Sequence, residues 1–271
     1  MSGELNGDLK LGAGDRLCYL ARNFARNLKG GSGIRAVPWR NPPLFSANEN
    51  GMTSSPLRYL SETFIRRELP RLHPTTEVSV LDVGCGSGRL ADLLAGAGYR
   101  GRYTGVDMTD RFGVEELAAG PFQTRFVAGD AHSVPLDGPF DLILSVSALE
   151  HIEDDGALVK RLDRMLAAGG AQIHLVPAPA ALLIYLWHGY RQYSTKAIAE
   201  RFGTRGVRVY GLGGGATWLL HFLSITVPEV ICRVSMRRAM PRLYASLLRL
   251  ALQFDHLFPA FPLGYAVVKG R

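Results

Sequence analysis

Three glycines spaced two apart, Gly84, Gly86 and Gly88, follow an apolar run that ends in Asp82 and Val83. Residues 78–83 are rich in β-branched side chains and read as a buried strand, and residues 89–95 read as a helix. The turn between them, Gly84-Cys85-Gly86-Ser87-Gly88, lets a ligand approach the backbone and offers it the unpaired N–H groups of a helix N-terminus. The spacing is not the G-x-G-x-x-G of dinucleotide sites, and no lysine follows as in a phosphate loop. An acid as close as Asp82 would repel a pyrophosphate and favour a cationic ligand. Further chemistry-bearing residues stand at the ends of later apolar runs: Asp107, Asp130 and the pair Glu150-His151. Histidine is suited to proton transfer near neutral pH, which makes His151 the candidate general base. Its alternative is a structural imidazole under the cleft.

These residues are carried by an alternation of strands and helices. Residues 102–107, 124–128, 140–145 and 171–176 read as strands, with helices over 109–119 and 156–167, the latter ended by Gly169-Gly170. Such repeated units imply a parallel, doubly wound sheet with its site at the carboxyl ends of the strands. Ahead of them, residues 55–69 form a helix with Leu57, Leu60, Phe64, Ile65 and Leu69 on one face, stopping at Pro70. Residues 15–28 carry Leu17, Leu20, Phe24 and Leu28 at helical spacing with arginines between. This is first a helix packed on the domain, and alternatively a basic amphipathic helix on a membrane or beside the substrate cleft. Residues 30–50 read as a loop, and Asn41-Pro42-Pro43-Leu44 as a proline turn.

The chain has 271 residues, enough for one large domain with appendages. Its three cysteines, Cys18, Cys85 and Cys232, lack disulfide or zinc spacing and fit a reducing cytoplasm, and no secretory signal is expected at the start. The net charge of +7 is uneven. Residues 1–75 hold 11 Lys/Arg and 6 Asp/Glu, residues 76–177 hold 8 and 15, and residues 178–271 hold 12 and 3. Basic flanks around an acidic middle suit an anionic partner: a phospholipid surface, a phosphorylated carrier or nucleic acid.

Taken together, the V-L-D-V-G-C-G-S-G stretch, Asp107, Gly129-Asp130-Ala131 and the F-D-L-I-L-S-V-S-A-L-E-H-I run over residues 140–152 resemble the class I S-adenosylmethionine-dependent methyltransferases, over about residues 76–177. The resemblance implies S-adenosyl-L-methionine as cofactor. Its methionine portion would lie over Gly84, Cys85, Gly86 and Gly88, with Asp82 nearby and Ser145 and Val146 lining that end. It implies that Asp107 takes the two ribose hydroxyls, that Met108 meets the adenine face, and that Asp130 and the N–H of Ala131 meet the adenine edge. Related enzymes that hold a divalent metal have an acid where this chain has Ser147, so no metal is expected. Ser145 and Ser147 also replace the N/D-P-P-aromatic pattern of amino-group enzymes, which favours oxygen as the acceptor atom.

The implied architecture is α/β, a seven-stranded, mostly parallel sheet of the Rossmann-like methyltransferase fold. An N-terminal helical extension (1–75) precedes a methyltransferase domain (76–271), which divides into a cofactor-binding half (76–177) and an acceptor-side half (178–271). Strands are expected at 207–210 and 265–269, with an apolar and basic helical insert at about 212–258. His188, Tyr190 and Arg191 are candidate acceptor ligands, their alternative being helix-end packing. The insert's apolar helices and Arg233, Arg237, Arg238 and Arg242 fit a lipid-linked acceptor, peripheral contact with an anionic membrane, or a homodimer interface. The expected reaction is O-methylation of a small-molecule, lipid or lipid-linked glycan hydroxyl. The alternatives are an RNA or protein methyltransferase working through the basic flanks, and a non-catalytic S-adenosylmethionine-binding module.

Overall fold

The β-branched run before the glycine turn forms a strand buried on both faces, and the rest of the sheet is built outward from it. The computed structural model describes residues 4–28, 33–40, 53–109 and 120–270. The expected helix over 109–119 and the Asn41-Pro42-Pro43-Leu44 turn lie in whole or in part outside the described residues. Among the described residues the strands are β1 (Ala36–Pro38), β2 (Glu77–Val83), β3 (Arg100–Asp107), β4 (Phe122–Ala128), β5 (Phe140–Val146), β6 (Leu166–Pro177), β7 (Val207–Leu212) and β8 (Gly264–Gly270). They form one sheet in the order β1-β7-β8-β6-β5-β2-β3-β4. The pairs β2·β3, β2·β5, β3·β4, β5·β6 and β1·β7 are all parallel. The strand order reverses between β2 and β5, the topological position where α/β sheets bind ligands.

Seven strands were expected and eight are present among the described residues. The additional one is β1, three residues within the stretch read as a loop, paired through Ala36↔Val209 to β7. A strand of three residues ending in proline has no alternation long enough to announce it.

The fold divides into two compact units. One comprises Glu62–Val176, Ala197–Arg208 and Val267–Arg271; the other comprises Met1–Ser61, Pro177–Lys196 and Val209–Ala266. The first, the sheet unit, carries β2 to β6 and the helices α3 (Arg89–Gly96) and α4 (Asp155–Met165). The Asp154 side chain accepts from Ala157 N–H at 3.0 Å and so caps α4. Leu158, Val159 and Leu162 of α4 are buried, as their spacing predicts.

Gly169-Gly170 does not end that helix. α4 stops at Met165, and the two glycines lie inside β6, where the register jumps from Phe140↔Leu166 to Leu142↔Ala171. A Cβ on Gly170 would stand 2.9 Å from the Asp141 carbonyl oxygen, so the bulge needs glycine on the side facing β5.

The second unit is mainly helical and holds α1 (Ala13–Leu28), the short α5 (Leu182–Tyr185), α7 (Gly215–His221), a π-helical turn (Phe222–Ile231), α8 (Met236–Ala239) and α9 (Pro241–Phe254). Helix α2 (Pro56–Leu72) begins in this unit, and α6 (Thr195–Phe202) begins here and ends in the sheet unit. The expected α2 face is buried throughout: Leu57, Leu60, Phe64, Ile65 and Leu69. The helix runs on past Pro70 to Leu72, because a proline in the last turn forfeits only one backbone bond.

α1 differs from its first reading. Its leucine stripe is outward, with Leu17 69%, Phe24 56% and Leu28 68% exposed, while Tyr19 and Asn23 face in. Hydrogen bonding explains the choice. The Tyr19 hydroxyl donates to the His188 carbonyl at 2.7 Å, and the Asn23 amide donates to the Tyr19 carbonyl at 3.1 Å. Among the described residues, no helix is long and apolar enough to cross a membrane.

The division also explains the charge pattern. The helical unit contains 15 Lys/Arg and 6 Asp/Glu, the sheet unit 16 and 18. The excess positive charge therefore belongs to the helical unit.

Candidate functional site

The glycine turn sits at the carboxyl end of β2, held by its neighbour. The N–H groups of Gly84 and Cys85 both donate to the Val106 carbonyl of β3, at 2.8 and 3.1 Å. Gly84, Gly86 and Gly88 have φ of 74°, 53° and 79°, a region that only glycine enters without strain. Gly84 is required twice over, since a Cβ there would lie 2.4 Å from the Ala148 Cβ. Replacing Gly84 by alanine should therefore weaken S-adenosylhomocysteine binding at least tenfold while the circular dichroism spectrum stays native. Undiminished calorimetric affinity would show that the turn tolerates displacement.

Asp107, at the end of β3, closes this turn from the side. One carboxylate oxygen accepts the Gly86 N–H at 2.9 Å, and the other accepts the Thr109 N–H and hydroxyl at 3.1 and 3.2 Å. The carboxylate thus stands beside the glycines and is only partly buried, so a diol can reach it. Met108 next to it is 72% exposed. Asp130, also exposed, caps the turn after β4 through a bond from His132 N–H at 2.9 Å. The same turn is pinned from α4, where the Arg161 guanidinium donates to the carbonyls of Ala131 (3.1 Å) and Val134 (2.5 Å).

Asp82 is 2% exposed, and the Tyr103 hydroxyl donates to it at 2.5 Å. Burial pushes its carboxyl up to about 7, with the nearby Asp107 charge adding to the effect and the Tyr103 bond opposing it. The acid is therefore poised to ionise when a cation arrives. Burial likewise raises the Cys85 thiol, which remains a small protonated side chain against Gly105.

Ser145 and Val146 end β5. Ser145 is fully buried and its hydroxyl meets His174 Nδ1 at 2.8 Å. His174 Nε2 is 3.0 Å from Gln172 Oε1, the Gln172 amide donates to Asp163 at 2.7 Å, and Lys269 donates to the same carboxylate. The chain of donors makes His174 a neutral imidazole with its proton on Nε2. Burial drives its pKa down to about 3. Because the unfolded chain takes up that proton below about 6.5 and the folded chain does not, this histidine removes stability as pH falls from 6.5 toward 3. Relative to His174→Gln, the wild type should lose about 1.6 kcal/mol between pH 6.5 and 5, the slope steepening toward roughly 1.4 kcal/mol per unit as the unfolded histidine becomes fully protonated. Urea unfolding of both proteins at the two pH values measures it, and parallel stabilities would contradict the assignment.

Past β5 the chain turns sharply. Ser147 adopts φ 51°, unusual for a residue with a side chain, and is exposed at the strand end. The turn leads into a short 3₁₀ helix, Leu149–His151, in which the Glu150 side chain is buried and His151 is half-buried.

All of these residues lie within the sheet unit. His188, Tyr190 and Arg191 belong to the helical unit. His188 Nδ1 lies 3.4 Å from Asp8, and the buried Arg191 guanidinium pairs with Glu4 and lies 5.6 Å from the Tyr190 ring. Burial penalises the Glu4 charge, but Arg191 and Arg26 outweigh that and hold it below the ordinary carboxylate range. Arg191 thus anchors the chain's start. Tyr103, Arg161 and His174 complete the site from within strands and a helix, where nothing in their spacing distinguishes them from core residues.

A glycine turn at a strand end, closed by an acid on the next strand, within this strand order, is now joined by direct similarity: residues 81–173 match the methyltransferase domain family. Residues 81–173 carry a methyltransferase domain. Among curated proteins, the methyltransferase domain is similar to the ubiquinone biosynthesis O-methyltransferase of Albidiferax ferrireducens, 32% identical over 105 residues, covering 36% of this chain and 41% of that protein. It is also similar to the ajmaline N-methyltransferase of Rauvolfia serpentina, 28% identical over 139 residues, covering 49% and 47%. The chain therefore spans less than half the length of these relatives. In fold it resembles the plantazolicin methyltransferase BamL, solved with a triazolic desmethylPZN analogue and S-adenosylhomocysteine, with a TM-score of 0.53 at 16% identity over 82% of this chain and 88% of that one.

Proposed function

We propose that the protein is an S-adenosylmethionine-dependent methyltransferase that methylates a hydroxyl oxygen of a small-molecule, lipid or lipid-linked acceptor. The observation that carries this reading is the Asp107 carboxylate bonded to the Gly86 N–H beside the left-handed glycine turn. A ribose diol at Asp107 and the methionine portion over Gly84–Gly88 would place the amino acid end of the cofactor near Asp82. A cationic group there would restore the charge that burial suppresses, so binding would release a proton. Asp130 and Ala131 would take the adenine edge, and Met108 its face.

The chemistry is an in-line displacement. The acceptor oxygen attacks the methyl carbon, the carbon–sulfur bond breaks with its electrons, and neutral S-adenosylhomocysteine leaves. Much of the acceleration comes from alignment of the oxygen, carbon and sulfur. His151 is the proposed base for the hydroxyl proton. Oxygen is favoured over an exocyclic amine because Ser145 and Ser147 occupy the positions where amino-group enzymes carry N/D-P-P-aromatic. The O-methyltransferase among the relatives supports the same choice, and the N-methyltransferase keeps nitrogen as the outcome to be tested against it.

Incubation with S-adenosylmethionine carrying a labelled methyl group, and lipid and metabolite extracts, tests the proposal. Label should enter a product that resists mild base, as an ether does. Label confined to protein or RNA, or no binding of the cofactor by calorimetry, would overturn it.

A further inference from the structure

The helical unit contains a feature that methyl transfer does not call for: an open groove of about 1190 Å³, lined by 22 residues of which almost all are apolar. Phe24 of α1, Leu183 of α5, Leu219 of α7, Leu223 of the π-helical turn, and Leu250 and Phe254 of α9 face it, and each is between 46% and 57% exposed. A monomer rarely leaves that much connected apolar surface in water without an occupant. The volume exceeds the roughly 300–1,000 Å³ typical of drug-sized ligands, which suits a long chain.

The groove is built, not incidental. Asp255, after α9, accepts the Thr217 N–H and hydroxyl at 2.9 and 2.7 Å, tying the start of α7 to the end of α9. The Gly215 N–H donates to the Phe258 carbonyl at 2.9 Å, and a Cβ on Gly214 would lie 2.4 Å from that oxygen. The Trp218 indole donates to the Ala180 carbonyl at 2.9 Å. These bonds hold the walls while their apolar faces remain unpaired.

Two further observations describe the occupant. Asn27 lines the groove, and both its carboxamide oxygen and nitrogen are buried with no hydrogen-bond partner. Leaving such groups unpaired costs about 1–3 kcal/mol each, and a rotation of the carboxamide toward the groove would let an occupant with a polar junction as well as a chain relieve that cost. The unit also holds 15 cationic against 6 anionic side chains, and Arg238 and Arg242 are exposed on α8 and α9, whose Met236 and Leu247 line the groove. That charge favours an anionic head.

We infer that this groove is a binding site for a long-chain anionic amphiphile, such as a fatty acid or monoacyl phospholipid. The hydrocarbon chain lies against the leucines and phenylalanines, and the polar junction meets Asn27. A bilayer surface would press on convex faces and leave the concavity unfilled. The inference stands on the groove alone and is compatible with any methyl acceptor, so it can fail while the proposed methylation survives.

Fluorescence titration of the full chain with cis-parinaric acid tests it. Saturable binding is expected, displaced by oleate. The double variant L219W/L250W, which fills the groove from two walls, should bind at least tenfold more weakly while retaining native circular dichroism and S-adenosylhomocysteine affinity. Asn27→Asp should weaken oleate at least tenfold and oleyl alcohol less, because only oleate meets a like charge. The inference is overturned by non-saturable fluorescence, or by unchanged affinity in the filled variant. It is equally overturned if light scattering shows a dimer that Leu250→Glu dissociates and that binds no probe, or if the chain engages only intact anionic vesicles.

Discussion

Replacing Asp107 by alanine is expected to weaken S-adenosylhomocysteine binding by roughly a hundredfold or more, the largest loss from any single site change. Two contributions add. A carboxylate accepting both ribose hydroxyls forfeits charge-assisted bonds of about 1.5–3 kcal/mol each when removed. The same carboxylate fixes the glycine turn through the Gly86 N–H at 2.9 Å, so alanine also releases a backbone donor beside the ligand. Asp107→Asn separates the two, because its amide oxygen can still accept from Gly86 while the charge is gone. It should fall between wild type and alanine. Calorimetry with S-adenosylhomocysteine reads both, and an alanine variant within threefold of wild type would mean that the cofactor lies elsewhere.

The second large effect is on turnover. His151→Ala should lower the methyl-transfer rate on a hydroxyl acceptor by roughly a hundred- to ten-thousand-fold, the range general-base catalysis contributes. Cofactor affinity should be unchanged, since the glycine turn and Asp107 do not bond to this side chain. The position is supported by its setting. His151 ends the short helix after β5, is half-buried, and follows Ser147, whose left-handed backbone turns the chain sharply there. A base is dispensable once the acceptor is already deprotonated, so the loss should shrink as pH rises toward the acceptor's own ionisation. An alanine variant that keeps wild-type kcat across pH would remove His151 from the chemistry.

The strands of the sheet unit were legible in the sequence because the central ones are largely apolar runs closed by a turn signal, while β3 and β4 are short mixed runs recognised by their β-branched and aromatic residues between turns. β2 and β5 are buried on nearly every residue, so their hydrophobicity is continuous and unmistakable. The acids at strand ends were legible for a related reason: a charge directly after a buried strand has to sit at the sheet's edge. The Gly169-Gly170 bulge was misread because a glycine pair ends a helix and kinks a strand equally well. Only the register against β5 distinguishes the two.

The helical unit was less legible. Its segments are apolar on more than one face, so spacing alone could not say which face turns inward. In α1 the Tyr19 hydrogen bond to the distant His188 carbonyl decides it, against the leucine stripe. Arg191 shows the same limit: a residue able to hold an anionic acceptor is instead paired with Glu4, 187 residues away in sequence.

The sequence by itself determined the nucleotide-binding half of this protein. A glycine turn and strand-end acids are local features, and their chemistry follows from a few neighbouring residues. Tertiary structure alone decided what surrounds it. It set the pairing of Asp82 with Tyr103, the neutral His174 between Ser145 and Gln172, and an apolar groove assembled from α1, α5, α7 and α9. Those depend on which distant side chains share a desolvated space, and burial, not spacing, sets their charge and their partners.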